Sequence, residues 1–170
     1  KKNVYVLQFA KIQTEQMCID AIKQIGYALR YVKIQTEQLC IDAVKQTGYA
    51  LEYVKDQTEQ ICIEAVKQDG YALQFVKIQT EQICIEAVKQ HGDALAYVKE
   101  QTEQICSIAI NKNQCAIQYV DTSKFDIIKI NTYTNTKPTQ QQLTDDVCSI
   151  CWLQHDDTSL VTTCGHVFHK

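Results

Sequence analysis

The stretch "YVKDQTEQICIEAVKQDGYALQ", residues 53–74, decides the fold because the chain repeats it. "YVKIQTEQLCIDAVKQTGYALE" begins at Tyr31, "FVKIQTEQICIEAVKQHGDALA" at Phe75 and "YVKEQTEQICSIAINKNQCAIQ" at Tyr97. An earlier copy starts near Phe9, and Tyr119–Val120 is a remnant of the next. The period is 22 residues. A fixed period of this size is the signature of a repeat architecture.

Each copy punctuates a helix. In the unit just quoted, the Thr58 hydroxyl suits an N-cap, where it accepts from a free backbone N–H. Glu59 follows in the first turn, favourable to the helix dipole. Ile61, Cys62, Ala65 and Val66 share one face at i, i+3, i+4 spacing. Glu64 and Lys67 can pair on the other face. Lys67 lies in the last turn, and Gly70 suits a left-handed position after it. A second apolar cluster, Ala72, Leu73, Phe75 and Val76, predicts about two turns of a shorter helix.

The expectation is therefore a mainly α chain, an α-solenoid of short helical hairpins whose neighbours bury one another's apolar faces. The rival is one long helix, since twice 11 is 22 and an 11-residue period suits a right-handed supercoil. Gly26, Gly48, Gly70 and Gly92 each cost about 1 kcal/mol inside a helix, so recurring Gly and Thr at cap spacing fit breaks better. In the last copy Gln114 stands where Gly recurs, as suits a unit that caps the stack.

Cys18, Cys40, Cys62, Cys84 and Cys106 recur once per unit. Stacked helices lie about 8–10 Å apart, and a disulfide needs Cα atoms within about 7 Å. Equivalent cysteines are expected to stay unpaired, as small buried apolar groups in a reducing, intracellular setting. The charges are mixed throughout, with 17 basic and 20 acidic side chains. No basic stripe offers itself to phosphates, which argues against a nucleic-acid partner. No apolar run approaches the length of a membrane span, which argues against a membrane partner.

Positions that differ between copies are a candidate recognition surface for a protein partner. Ile25, Thr47, Asp69 and His91 precede the glycine, and Arg30, Glu52, Gln74 and Ala96 sit on the second helix. The plainer reading is drift at solvated positions, with His91 a surface histidine. The aromatic series Phe9, Tyr31, Tyr53, Phe75, Tyr97 and Tyr119 reads as core. "QTEQICIEAVKQDGYALQFVK" resembles the multi-copy repeat of unknown function in proteins of giant amoeba-infecting DNA viruses. The resemblance spans about residues 5–120 and implies an all-helical repeat, with no chemistry attached.

The repeat domain is placed at 1–120, a linker at 121–146 and a zinc module at 147–170. Within the linker "KFDIIKI", residues 124–130, reads as a short strand or extended arm, and "NTYTNTKPTQQQLTDD" as a flexible tether.

Zinc takes four tetrahedral N or S ligands, and a Cys-x2-Cys knuckle supplies two of them from one turn. Cys148 and Cys151 have that spacing, and Cys164, His166 and His169 follow as Cys-x-His-x2-His. The cluster predicts zinc as cofactor. "CSIC" and "CGHVFH" resemble the opening knuckle and the centre of a RING finger with two central histidines. Leu160–Val161 matches the strand leading into that centre, and Phe168 its packed apolar residue. The resemblance implies two interleaved sites, one sharing Cys148, Cys151 and His169, the other Cys164 and His166. Both lack closing ligands in this sequence, so the chain reads as a fragment cut inside the module. By the same resemblance, Ile150 would contact a ubiquitin-conjugating enzyme. E3 ubiquitin-transferase activity would belong to a longer parent protein, with no catalytic nucleophile here. The alternative from the residues is a single-zinc finger, closed by Cys148 and Cys151 with two of the other three ligands. It would serve a structural or protein-binding repeat protein without enzymatic activity.

Overall fold

The computed structural model describes residues 6–125. It is a right-through succession of two-part units, with no strand among the described residues. After a short α1 (Val6–Phe9), each unit pairs a ten-residue α-helix with a six-residue 3-10 helix. The α-helices are α2 (Glu15–Gln24), α3 (Glu37–Gln46), α4 (Glu59–Gln68), α5 (Glu81–Gln90) and α6 (Glu103–Lys112). The 3-10 helices are η1 (Gly26–Tyr31), η2 (Gly48–Tyr53), η3 (Gly70–Phe75), η4 (Gly92–Tyr97) and η5 (Gln114–Tyr119). One residue in extended conformation, such as Asp69 at φ −150° and ψ 115°, separates the two helices of a unit. The single long helix is excluded, and the helical solenoid stands.

The α-helices begin where the sequence places them. Thr58 is the N-cap of α4, its hydroxyl accepting from the Ile61 N–H, and Thr14, Thr36, Thr80 and Thr102 do the same for their helices. The buried residues of α4 are Ile61, Cys62, Ala65 and Val66, the face expected from spacing. The Glu-to-Lys pair within a helix forms at Glu86–Lys89, 2.9 Å, whereas Glu64 reaches Lys45 of the preceding unit at 3.4 Å.

The second element is a 3-10 helix because its burial recurs every third residue. Gly70, Leu73 and Val76 are all buried, and three residues per turn place i, i+3 and i+6 on one line. Successive α-helices pack on one another, as do successive 3-10 helices, and each α-helix also packs on the 3-10 helix of the unit before it. One continuous apolar core results, from Leu7 to Val120, with no buried polar or charged residue among those described.

The repeated glycines do not serve as left-handed caps: none has a φ in the left-handed range. They are required by close approach. A Cβ on Gly26 would lie 2.6 Å from the Ala43 carbonyl oxygen of the next α-helix, and one on Gly70 would collide with the Ala87 carbonyl. Among the described residues no further α-helix follows η5, so nothing presses on position 114 and Gln114 is accommodated.

A glutamine in each unit fastens the loops of the stack together. Gln57 donates through Nε2 to the Phe75 carbonyl at 3.0 Å and accepts at Oε1 from the Lys77 N–H at 3.0 Å. Gln13, Gln35, Gln79 and Gln101 repeat both bonds to the residues 18 and 20 positions ahead. Lys55 Nζ donates back to the Lys33 carbonyl at 2.8 Å, and Lys77 Nζ to that of Lys55 at 2.7 Å. The threonine caps join in: Thr80 Oγ1 donates to Glu59 Oε1 at 2.8 Å.

Past the last unit, Asp121 forms a turn in which its carboxylate accepts from the Ser123 N–H and hydroxyl at 3.1 and 2.6 Å. Phe125 packs against the core. The start of the expected linker thus belongs physically to the solenoid. The rest of it, including residues 126–146, lies outside the described residues, as does the zinc module.

Candidate protein-docking face

The 3-10 helices present one long face of the rod. Their exposed position carries Arg30, Glu52, Gln74, Ala96 and Gln118 in turn. Between these lie aromatic rings that the sequence reading assigned to the core. They form instead a row along its outer edge. Tyr31 and Phe75 are half-buried against the core, while Tyr97 and Tyr119 are 40% and 38% exposed and Phe9 is 79% exposed.

The rings meet edge to face from unit to unit. Tyr27 meets Tyr53 at 6.2 Å between centroids, Tyr49 meets Phe75 at 5.7 Å, and Tyr71 meets Tyr97 at 6.3 Å. Such pairs contribute roughly 0.5–1.5 kcal/mol beyond burial. Burial, reinforced by the nearby Asp69 carboxylate, raises the Tyr49 phenol above its ordinary value. Arg30 lies over both Tyr31 and Tyr53, its Cζ 5.2 and 5.3 Å from their ring centres.

The other variable set behaves differently. Ile25 is exposed, but Thr47, Asp69 and His91 are half-buried. His91 Nδ1 accepts from the Gly70 N–H at 3.2 Å, and its ring stacks on Tyr71. His91 is thus a surface histidine, its side chain 41% exposed, that also packs against the preceding unit. The glutamine series, which recurs unchanged in five units, was the missed signal: a polar residue repeated without variation has a fixed partner.

The edge at the N-termini of the α-helices carries exposed Ile12, Ile34 and Ile78 at 81–82% exposure, with Asp56 and Glu100 at the same place in other units. Open grooves run between units there, one of about 470 Å³ and lined by Ile12, Cys18, Ile34 and Leu39 among others.

The repeat cysteines are unpaired and buried as expected. Burial pushes Cys84 and Cys106 up to about 11, helped by Glu81 at the first and Asp121 at the second. They are poor thiolates, unsuited to nucleophilic or redox work. Among the described residues no group of three or more His, Cys, Asp or Glu side chains could hold a metal. No described helix is long and apolar enough to cross a membrane. Cys148, Cys151, Cys164, His166, His169 and Ile150 lie outside the described residues.

No curated protein and no solved structure matches the chain significantly, and no RING-family model does. One family model matches, described as a domain of unknown function (DUF4116), and it does so twice in overlapping register, over residues 36–79 and 58–103. Each match spans two units of the solenoid, offset by one period, so this part of the chain is similar to DUF4116 in the repeated unit itself.

Proposed function

We infer that the chain is a protein-interaction adaptor whose helical repeats hold a protein partner on the 3-10 face. The observation that carries this reading is the split between fixed and variable positions. Glutamine, lysine and threonine bonds recur in unit after unit and hold the backbone. On that fixed frame the exposed 3-10 position changes from Arg30 to Glu52 to Gln74 to Ala96, which sets a distinct charge pattern along one line. Repeat solenoids use extended surfaces of this kind for binding.

The finer reading adds residues 147–170 as a RING-like zinc module that recruits a ubiquitin-conjugating enzyme through Ile150. The ligand spacing of Cys148, Cys151, Cys164, His166 and His169 supports it. Tethering would then raise the effective concentration of a bound substrate near the transfer site. Cysteine thiolates and histidine imidazoles fit zinc as a donor set, and they would hold it as a structural ion. Native mass spectrometry of the chain beside Cys148→Ser tests this part. Retained zinc that the substitution removes supports a folded module, and no retained zinc in the chain contradicts it.

The adaptor reading is tested by selecting peptides from a display library against the chain. Selected peptides are expected to lose about ten-fold or more in affinity for the Glu52→Lys, Gln74→Lys double variant. Unchanged affinity in the variant, or no selected peptide, would favour a purely structural repeat protein.

A further inference from the structure

The edge at the N-termini of the α-helices is grooved between units, and three successive grooves differ in width and charge. Where α2 and α3 begin, exposed Ile12 and Ile34 line an open groove of about 470 Å³, with buried Cys18 and Leu39 beneath them. At the starts of α3 and α4 the groove is about 150 Å³, and Asp56 stands in it where an isoleucine stood before. At α4 and α5 it is about 240 Å³ and carries Ile78. Thr58 Oγ1 donates to Glu37 Oε1 at 2.9 Å in the second groove, and Thr80 Oγ1 to Glu59 Oε1 at 2.8 Å in the third. Thr36 and Glu15 line the first without such a bond, which leaves it the widest of the three.

The chemistry alternates along the edge. The first groove has the size and apolar lining of a site that takes in a large side chain, about 300–1,000 Å³ being usual for ligand pockets. The second holds two carboxylates, Glu37 and Asp56, and no cation lines it. Asp56 is exposed and makes no hydrogen bond or ion pair among the described residues. The third is apolar again at Ile78 and Ile83. The loop backbone between grooves is already bonded: the Lys55 N–H donates to Gln35 Oε1, and the Lys33 carbonyl accepts from Lys55 Nζ. A partner strand finds no free ladder there, so recognition falls to side chains.

The spacing selects the form of the partner. Packed helices repeat about every 8–10 Å. A polyproline II chain rises about 3.1 Å per residue with three residues per turn, so every third side chain returns to one face after about 9 Å. A β-strand returns after about 7 Å and falls out of step.

We propose that this edge docks an extended segment of a partner protein whose every third side chain is, in turn, apolar, basic and apolar. A large apolar group lies between Ile12 and Ile34, a lysine or arginine on Asp56 and Glu37, and a smaller apolar group on Ile78. This surface is separate from the 3-10 face and does not rest on the reading above.

The probes are two labelled peptides, Pro-Leu-Pro-Pro-Arg-Pro-Pro-Val-Pro and its reverse, titrated into the full chain and followed by fluorescence anisotropy. One of the two is expected to bind saturably. Glu in place of the peptide's Arg should weaken it about ten-fold or more, and Asp56→Lys should abolish that preference. Ile34→Gln should weaken binding about ten-fold by removing apolar contact. The chain carries Asp56 and Glu100 at the same place, so a polar residue there is compatible with the fold. One further proline between Leu and Arg should break the register and weaken binding about ten-fold. No saturable binding by either peptide, equal binding of the lengthened one, or an Arg preference that survives Asp56→Lys would overturn the proposal. So would a dimer in sedimentation that Ile34→Gln converts to a monomer, which would give the edge to a second copy of this chain. The Glu52→Lys, Gln74→Lys double variant should bind the peptide unchanged; loss of binding there would move the site to the 3-10 face.

Discussion

His91 lies flat against Tyr71 of the preceding unit, with ring centroids 4.7 Å apart and 11° between planes, while its Nδ1 accepts from the Gly70 N–H. That one side chain ties α5 to the start of η3. Accepting the N–H requires an unprotonated Nδ1, with the ring proton on Nε2. Asp69 Oδ1 stands 3.5 Å from the same nitrogen. His91→Ala removes the acceptor and the stack together. The expected loss is about 1–2 kcal/mol in urea unfolding. His91→Asn, which keeps a short acceptor, should recover part of it.

Gly70→Ala tests close approach against conformational freedom. The added Cβ would run into the Ala87 carbonyl, backbone that cannot step aside alone. Overpacking of this kind costs about 1–3 kcal/mol. At position 114 the chain already carries a side chain, so Gln114→Ala should leave the urea midpoint within experimental error. If Gly70→Ala is equally silent, the units are not packed as closely as described.

The buried thiols set an alkaline limit. Cys40, Cys84 and Cys106 are each raised from 9.0 to about 11, burial being the first cause in each. A group whose folded value is raised gives its full stabilisation below the unfolded value and loses it as pH climbs through the folded one. The urea midpoint should therefore hold below pH about 8.5 and fall between about 9 and 11. Cys84→Ala with Cys106→Ala should flatten that fall. Iodoacetamide at pH 8 should modify these thiols slowly in the folded chain and quickly in urea.

The parts of the fold legible in the sequence are those written within one unit. Thr58 as cap, the Ile61–Val66 face and the breaks between helices all follow from neighbours along the chain. What the sequence reading missed is written across units. The purpose of Gly70 depends on Ala87, that of Gln57 on Lys77, and that of His91 on Tyr71. The partners lie 17 to 20 residues apart, so local propensity carries no trace of them. The 3-10 geometry was concealed for a related reason: Ala72, Leu73, Phe75 and Val76 are too few to separate a period of three from one of 3.6. The aromatic row was read as core because rings are usually buried; here the neighbouring rings cover one another only at their edges.

The central claim is that one glutamine per unit fastens successive units into a single rod. Gln57 sits in the middle of the stack, and its side chain carries the bonds to Phe75 and Lys77. The direct measurement is amide hydrogen exchange at Lys77, in the chain and in Gln57→Ala, beside urea unfolding of both. The account predicts a protected Lys77 amide that exchanges at least ten-fold faster in Gln57→Ala, with a stability loss of about 1–3 kcal/mol. A Lys77 amide that exchanges at the same rate in both proteins would contradict it.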